Sequence, residues 1–341
     1  MNFLGCSMIQ RHAMNFNGRI DTEDAKISLC CEGVPNIPHI PFAGTPEEIL
    51  RNFTDECAAL DAECANASNK ENRNFTLGCS KCPNFQYGDW RGNGLINYIN
   101  LSMYPSPCQC RCIYCTVHEN DQSINETAKE CYEKLFSVLE LGERCGIIPP
   151  NAGYQVSCGE IAIHPYHERI MKLVKGKPTC FYTNCMKFDE DIANNLRENP
   201  YSSINLSIDA GTPKTWHKIK GYDNFDKVTE NLVKYYSYAF DSEQITLKYI
   251  ILPGINDFYE DYASLIEIMK VLNVNHLTIA CDGREKYNMS KGYETKLIGA
   301  TAYLLAMCYK NDISNDMFTF TPKLRDKSIK QANEILRKRI L

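Results

Sequence analysis

From about residue 95 the chain alternates short, nearly continuous apolar runs with longer stretches whose apolar positions recur every three or four residues. The runs "INYINLSMY", "YQVSC", "PTCFYTN", "SINLSID", "ITLKYIILPG" and "NHLTIACD" are rich in β-branched and aromatic residues and too short for helices. They predict six strands. Between them, Asn125 is placed to cap "ETAKECYEKLFSVLELGE", and "NFDKVTENLVKYY" repeats apolar side chains at Phe225, Val228, Leu232 and Tyr235. A further helix pattern, "DFYEDYASLIEIMKVL", follows the fifth strand. Strand and helix alternating in this way imply a parallel sheet with right-handed crossovers. The expected class is α/β, a partial (β/α)6 TIM-like barrel spanning about residues 91–290, with its sites at the carboxyl ends of the strands.

The flanks read differently. Residues 1–90 form a small cysteine-rich module with few strand signals, a proline cluster ("GVPNIPHIPFAGTP") and one helix near 45–66 that Thr45 is placed to cap. Residues 291–341 read as a helical extension ending in the basic stretch "KLRDKSIKQANEILRKRIL".

Composition narrows the class. The 341 residues are 44% hydrophobic and 23% charged, enough for a sizeable core without cross-links. A net charge of -5 argues against a surface that coats nucleic acid. No run approaches the ~18 apolar residues of a membrane helix. Leu4-Gly5-Cys6 resembles a lipobox but lacks the preceding basic and apolar regions of an export signal. The expectation is a cytoplasmic protein, in which eighteen reduced cysteines serve metal binding or catalysis rather than disulfides.

Four of those cysteines crowd into "CQCRCIYC", directly after the first predicted strand. Cys108, Cys112 and Cys115 make a C-x3-C-x2-C pattern and Cys110 is left over. Three thiolates in a loop can take three corners of a [4Fe-4S] cube and leave one iron open to a small molecule. A structural zinc site would want a fourth ligand, and no matching pair lies nearby in the barrel sequence.

This loop, with the aromatic Tyr114 before its last cysteine and the strand-helix alternation behind it, resembles the radical S-adenosylmethionine (radical SAM) superfamily over roughly residues 95–285. The resemblance implies that Cys108, Cys112 and Cys115 hold a [4Fe-4S] cluster whose open iron is chelated by the methionine moiety of S-adenosylmethionine. Reductive cleavage would then give a 5'-deoxyadenosyl radical that abstracts a hydrogen atom from substrate. It also implies that Gly159 and Glu160 approach the methionine ammonium, and that Thr183, Asn184, Ser207 and Asp209 meet the ribose or carboxylate. Lys248, inside an apolar strand, either lines the barrel as partner to a carboxylate or snorkels out at an edge. "LPGIND" resembles a turn in which Asn256 or Asp257 caps the next helix.

Upstream, Cys6, Cys30, Cys79 and Cys82 resemble the ligand set of SPASM and twitch modules, which implies a second, auxiliary [4Fe-4S] cluster. Such modules usually follow the barrel, whereas this one precedes it. Cys30 is preferred over its neighbour Cys31, and a structural zinc would suit the same four thiolates. Cys57 and Cys64, seven apart on the predicted helix, read as core. Of Cys158, Cys185 and Cys281, each near the end of a strand, Cys281 is the first choice for a thiol that returns a hydrogen atom to a substrate radical. The implied partners are a sugar-like, small polar or peptide substrate, oxidised or epimerised, and a reductant such as flavodoxin or ferredoxin docking on the basic tail. The competing class is a non-catalytic electron carrier or zinc-stabilised scaffold.

Overall fold

The computed structural model describes residues 3–30, 38–67, 79, 84–115, 122–157, 159–285 and 289–338. Two compact units result: residues 1–107 with 121–179, and residues 108–120 with 180–341.

In the first unit, β1 (Phe3–Gly5) and β5 (Gln86–Gly88) form an antiparallel ribbon. Helix α1 (Ser7–Gln10) is a single turn, and α2 (Pro46–Ala67) is the predicted helix of the front region. Its start is a capping box: Thr45 Oγ1 accepts from the Glu48 backbone N–H, and Glu48 accepts from that of Thr45 at 2.8 Å. The sheet runs β7 (Gly153–Val156), β6 (Tyr98–Tyr104), β2 (Met14–Arg19), β3 (Lys26–Ser28), β4 (His39–Pro41). The first three are parallel, and β3 and β4 turn back antiparallel. Thus the front region does contain strands: β2 is short, interrupted by Asn15 and Asn17, and gains its place by pairing with β6 rather than from its own pattern. Helix α3 (Glu126–Arg144) begins at Asn125, whose side chain accepts from the Ala128 N–H, and α4 (His167–Val174) closes the unit.

The second unit is built on five parallel strands in the order β8 (Thr179–Thr183), β9 (Ser203–Ser207), β10 (Ile245–Ile251), β11 (His276–Cys281) and β12 (Ser314–Phe318). The connecting helices are α5 (Glu190–Glu198), α6 (Pro213–Lys220), α7 (Phe225–Tyr238), α8 (Tyr259–Val271) and α9 (Lys291–Lys310). Each predicted run from 95 to 282 is a strand, and the two units together carry the parallel strands of a partial TIM-like α/β fold. The C-terminal extension is not purely helical, because β12 extends the parallel sheet. Its polar sequence, "SNDMF", buries only Met317 and hides the strand from pattern reading. Helix α10 (Pro322–Arg337) lays Leu324, Ser328 and Ala332 into the fold and keeps its basic residues outside. Among the described residues no helix is long and apolar enough to cross a membrane.

Candidate active site

The cysteine loop belongs to the second unit, where it continues the end of α6. Thr212 caps that helix, Pro213 starts it, and Gly221 ends it in the left-handed region, φ 78°. The last carbonyls of a helix have no partner within it. Here the loop supplies them: the Arg111 N–H donates to Lys220 O at 2.9 Å, and the Ile113 N–H to Ile219 O at 3.0 Å. From the end of β11, the Arg284 guanidinium donates to Ile113 O at 2.8 Å. Beyond β8, Asn184 Oδ1 accepts from Gln109 Nε2 at 3.2 Å, and its Nδ2 lies 3.7 Å from Cys108 Sγ. The loop therefore lies across the carboxyl ends of β8, β9 and β11.

Tyr114 anchors it. Its ring packs with Ile255 on Ile219, Ile250, Leu252 and Ala280. Its hydroxyl donates to Asp209 Oδ2 and accepts from Lys220 Nζ at 2.8 Å. Asp209, just past β9 with φ +51°, also accepts from Lys220 Nζ at 2.5 Å and from the Ile250 N–H at 2.7 Å. The pair is sealed off, with side chains 1% (Lys220) and 0% (Asp209) exposed. A non-glycine residue in that conformation is uncommon, and here Asn256 holds it by donating to Asp209 O at 2.9 Å. Asn256 also accepts from Leu252 N–H, so it laces strand ends together rather than capping α8, whose first turn has no side-chain cap. Burial alone would lower the Lys220 ammonium, but Asp209 and Cys112 overcome it and raise it.

The four thiols differ. Cys108, Cys112 and Cys115 are half-buried, whereas Cys110 is only 1% exposed, with Sγ 3.1 Å from Met186 Sδ. A hydrogen bond from Cys110 pulls Cys112 down to about 6 against burial, and Lys220 pulls further than Asp209 pushes back. The Cys110 hydrogen bond and the Lys220 charge thus favour the thiolate of Cys112, the form that binds metal. Three half-buried thiols beside one that is buried fit a cluster held by three ligands.

The other predicted residues are placed as follows. In the first unit, Gly159 has φ +52°, and a Cβ there would stand 2.4 Å from Ser106 Oγ and 2.5 Å from Pro107 O. Only glycine allows that approach. The Glu160 N–H donates to Pro107 O at 2.9 Å, and its carboxylate, 1% exposed, accepts from Ala162 N–H at 3.3 Å, capping a 3-10 turn over Ile161–Ile163. In the second unit, Thr183 Oγ1 accepts from the Cys185 N–H, while Ser207 and Lys248 stand side by side in the β9–β10 register. Asp209 was expected to meet cosubstrate; its carboxylate is instead engaged by Lys220, Tyr114 and Ile250. Cys281 is 2% exposed, its Sγ 3.3 Å from Thr319 Oγ1.

Of the front cysteines, Cys6 and Cys30 are half-buried and Cys79 is buried; Cys31 and Cys82, like Cys158 after β7, lie outside the described residues. Cys64 is fully buried on α2, as its expected core position requires. Yet its thiol is pushed up to about 12 by burial and then by Cys79, Asp61 and Cys6, so it shares a neighbourhood with two candidate auxiliary ligands. Sequence reasoning also missed Lys220 and the link from Asn256 to Asp209.

Parallel strands with a three-thiolate loop across their carboxyl ends define an iron-sulfur protein of the α/β class. Residues 107–267 match the model of the radical SAM superfamily, so this part of the chain carries a radical SAM domain. Such domains use a [4Fe-4S] cluster and S-adenosylmethionine. The chain is 28% identical over 176 residues to a GTP 3',8-cyclase of Acaryochloris marina (strain MBIC 11017), covering 48% of this chain and 50% of that protein. It is 25% identical over 223 residues to a GTP 3',8-cyclase of Gloeobacter violaceus (strain ATCC 29082 / PCC 7421), covering 58% and 66%. The chain thus spans between half and two thirds of the length of these relatives. Among solved structures, Streptococcus suis SuiB bound to S-adenosylmethionine aligns with a TM-score of 0.50 at 14% identity, covering 85% of this chain and 58% of SuiB. That likeness shows the fold.

Proposed function

We propose that the protein takes a hydrogen atom from a small polar, sugar-like or peptide substrate and leads it to oxidation or epimerisation. Cys108, Cys112 and Cys115 would hold a [4Fe-4S] cluster, which with S-adenosylmethionine and one electron would supply a 5'-deoxyadenosyl radical. The observation that carries this reading is the Cys loop tied by Tyr114 to Asp209 at the end of β9, with Cys108, Cys112 and Cys115 half-buried and Cys110 buried against Met186.

The chain's own residues then bind and orient. Gly159 and Glu160 serve the methionine ammonium, and Thr183, Asn184 and Ser207 the ribose or carboxylate, while Asp209 acts on Tyr114. Abstraction leaves 5'-deoxyadenosine, methionine and a substrate radical. Oxidation removes one electron and one proton from that radical, and an auxiliary cluster on Cys6, Cys30, Cys79 and Cys82, with Cys64 close by, is the acceptor we assign. Epimerisation instead returns a hydrogen atom from a thiol, for which Cys281 is the candidate. The thiyl radical left behind takes one electron from the flavodoxin or ferredoxin and one proton. A flavodoxin or ferredoxin supplies the first electron.

The test is anaerobic reconstitution with iron and sulfide, then dithionite and S-adenosylmethionine, with and without GTP, the nucleotide in the relatives' names. Formation of 5'-deoxyadenosine is the expected result. Protein that takes up zinc in the loop, or holds iron but leaves S-adenosylmethionine intact, overturns the proposal.

A further inference from the structure

The strand register of the second unit places a line of polar side chains on one face of the sheet. Ser207 of β9 is opposite Lys248 of β10, Lys248 is opposite Thr278 of β11, and Thr278 is opposite Asp316 of β12. One step back, Tyr182, Asn205 and Thr246 share that face. Residues between them, among them Leu206, Leu247, Tyr249 and Ile279, are fully buried on the other face.

Lys248 is half-buried in this row, with Nζ 5.4 Å from the centroid of the Phe318 ring. Among the described residues its ammonium has no ion pair and no hydrogen bond. Two carboxylates are near enough to act on it, and both are taken: Asp209 by Lys220 at 2.5 Å, Asp316 by His276 at 3.3 Å and by Thr278. One strand over, Asn205 Oδ1 is buried without a partner. An unpaired cation on this face is costly unless an anion from outside meets it, and the amide oxygen beside it calls for a hydrogen-bond donor on the same molecule. Lys248 sits three residues before the end of β10, so it lies about 10 Å below the rim that carries the cysteine loop.

We propose that Lys248, with Ser207 beside it, binds an oxyanion of the substrate, a phosphate or a carboxylate, while Asn205 Oδ1 accepts from a hydroxyl or amine of the same molecule. The substrate class is then a small polar molecule whose anionic end is held along β10 and whose reacting carbon points to the strand ends. This rests on the radical-enzyme reading above. S-adenosylmethionine also carries a carboxylate, so the experiment must separate the two sources.

Calorimetric titration of the reconstituted full chain does so, with inorganic pyrophosphate and malonate as probes, each added after saturating S-adenosylmethionine. The wild type is expected to bind at least one probe. Lys248→Met should weaken that binding at least tenfold and Lys248→Arg less than threefold, while affinity for S-adenosylmethionine changes less than threefold in both. Lys248-independent binding, or none of either probe, overturns the proposal. So does a tenfold loss of S-adenosylmethionine affinity in Lys248→Met, which assigns the lysine to the cosubstrate. The probes are also titrated without S-adenosylmethionine, so a wild type that makes no 5'-deoxyadenosine sinks the radical reading without deciding this one.

Discussion

Lys220 Nζ and Asp209 Oδ2 are 2.5 Å apart at a site closed to solvent, and the Tyr114 hydroxyl bonds to both. One ion pair thus joins the last residue of α6, the turn after β9 and the cysteine loop. Breaking a buried pair from one side leaves a stranded charge, at a cost of about 3–5 kcal/mol, whereas removing both charges costs far less. Lys220→Met is therefore expected to be destabilised by that amount. The double variant Lys220→Met/Asp209→Asn, which keeps an acceptor for the Ile250 N–H, should recover at least about 1 kcal/mol of coupling. Urea unfolding of the four proteins in the cycle measures it, and additive losses would show that the pair does not act as a unit.

The loop makes a sharper forecast about its cysteines. Cys108→Ala, Cys112→Ala and Cys115→Ala should each fail to hold a full complement of iron and sulfide after reconstitution. Cys110→Ala should hold it, since that thiol is buried against Met186. Because Cys110 also helps to ionise Cys112, its loss should slow alkylation of Cys112 in the apo-protein near pH 7. Iron analysis and timed iodoacetamide labelling read the two effects, and cluster loss in Cys110→Ala would refute the assignment.

How far the sequence reached depends on the range of the forces involved. The strands from Tyr98 to Cys281 were legible because each buries its own apolar run, and the cysteine loop because its spacing is local. Strands β2 and β12 were not: Asn15, Asn17 and Asp316 break the pattern, and long-range pairing with β6 and β11 places them. Lys220 reads as a lysine in the last turn of a helix, just before Gly221, where a surface cation favouring the helix dipole is the ordinary case. Only its partner Asp209, eleven residues away, gives it another role. Asn256 likewise reads as a cap because Asn in a turn usually serves local backbone, whereas here it bonds across to Asp209. Cys64 fell in the core stripe of α2 correctly, but no pattern shows which cysteines the fold brings to that face.

Gly159 offers a test of backbone geometry. At φ +52° an alanine pays about 1–2 kcal/mol for the left-handed conformation alone. Its Cβ would also overlap Ser106 Oγ and Pro107 O, the carbonyl that accepts from the Glu160 N–H. Gly159→Ala should thus lose about 2 kcal/mol or more. Gly146→Ala, also at positive φ but with open space around its Cβ, should lose only the conformational part. Equal losses in the two variants would mean that the close approach to Pro107 carries no weight.

His164 gives the molecule a pH dependence of predictable sign. It is 3% exposed, its ring Nε2 lies 3.1 Å from the Tyr132 hydroxyl, and that hydroxyl donates to Pro105 O at 2.9 Å. The ring therefore sits neutral, with Nδ1 accepting from the Tyr166 N–H at 3.1 Å. Burial, and then the nearby His167, push its pKa down to about 4. In the unfolded chain the imidazole titrates near its ordinary value of about 6.5, so between pH 6.5 and 4 the unfolded state binds more protons than the folded one. Stability is present in full above about 6.5 and is lost as pH falls through that window, on the order of 3 kcal/mol in all. Acid also titrates other groups, so the measurement is a comparison: the fall in unfolding free energy from pH 7 to 4.5 should be distinctly shallower in His164→Gln than in the wild type. Parallel curves would mean that His164 is protonated in the folded state and that the Tyr132 contact is made by an imidazolium.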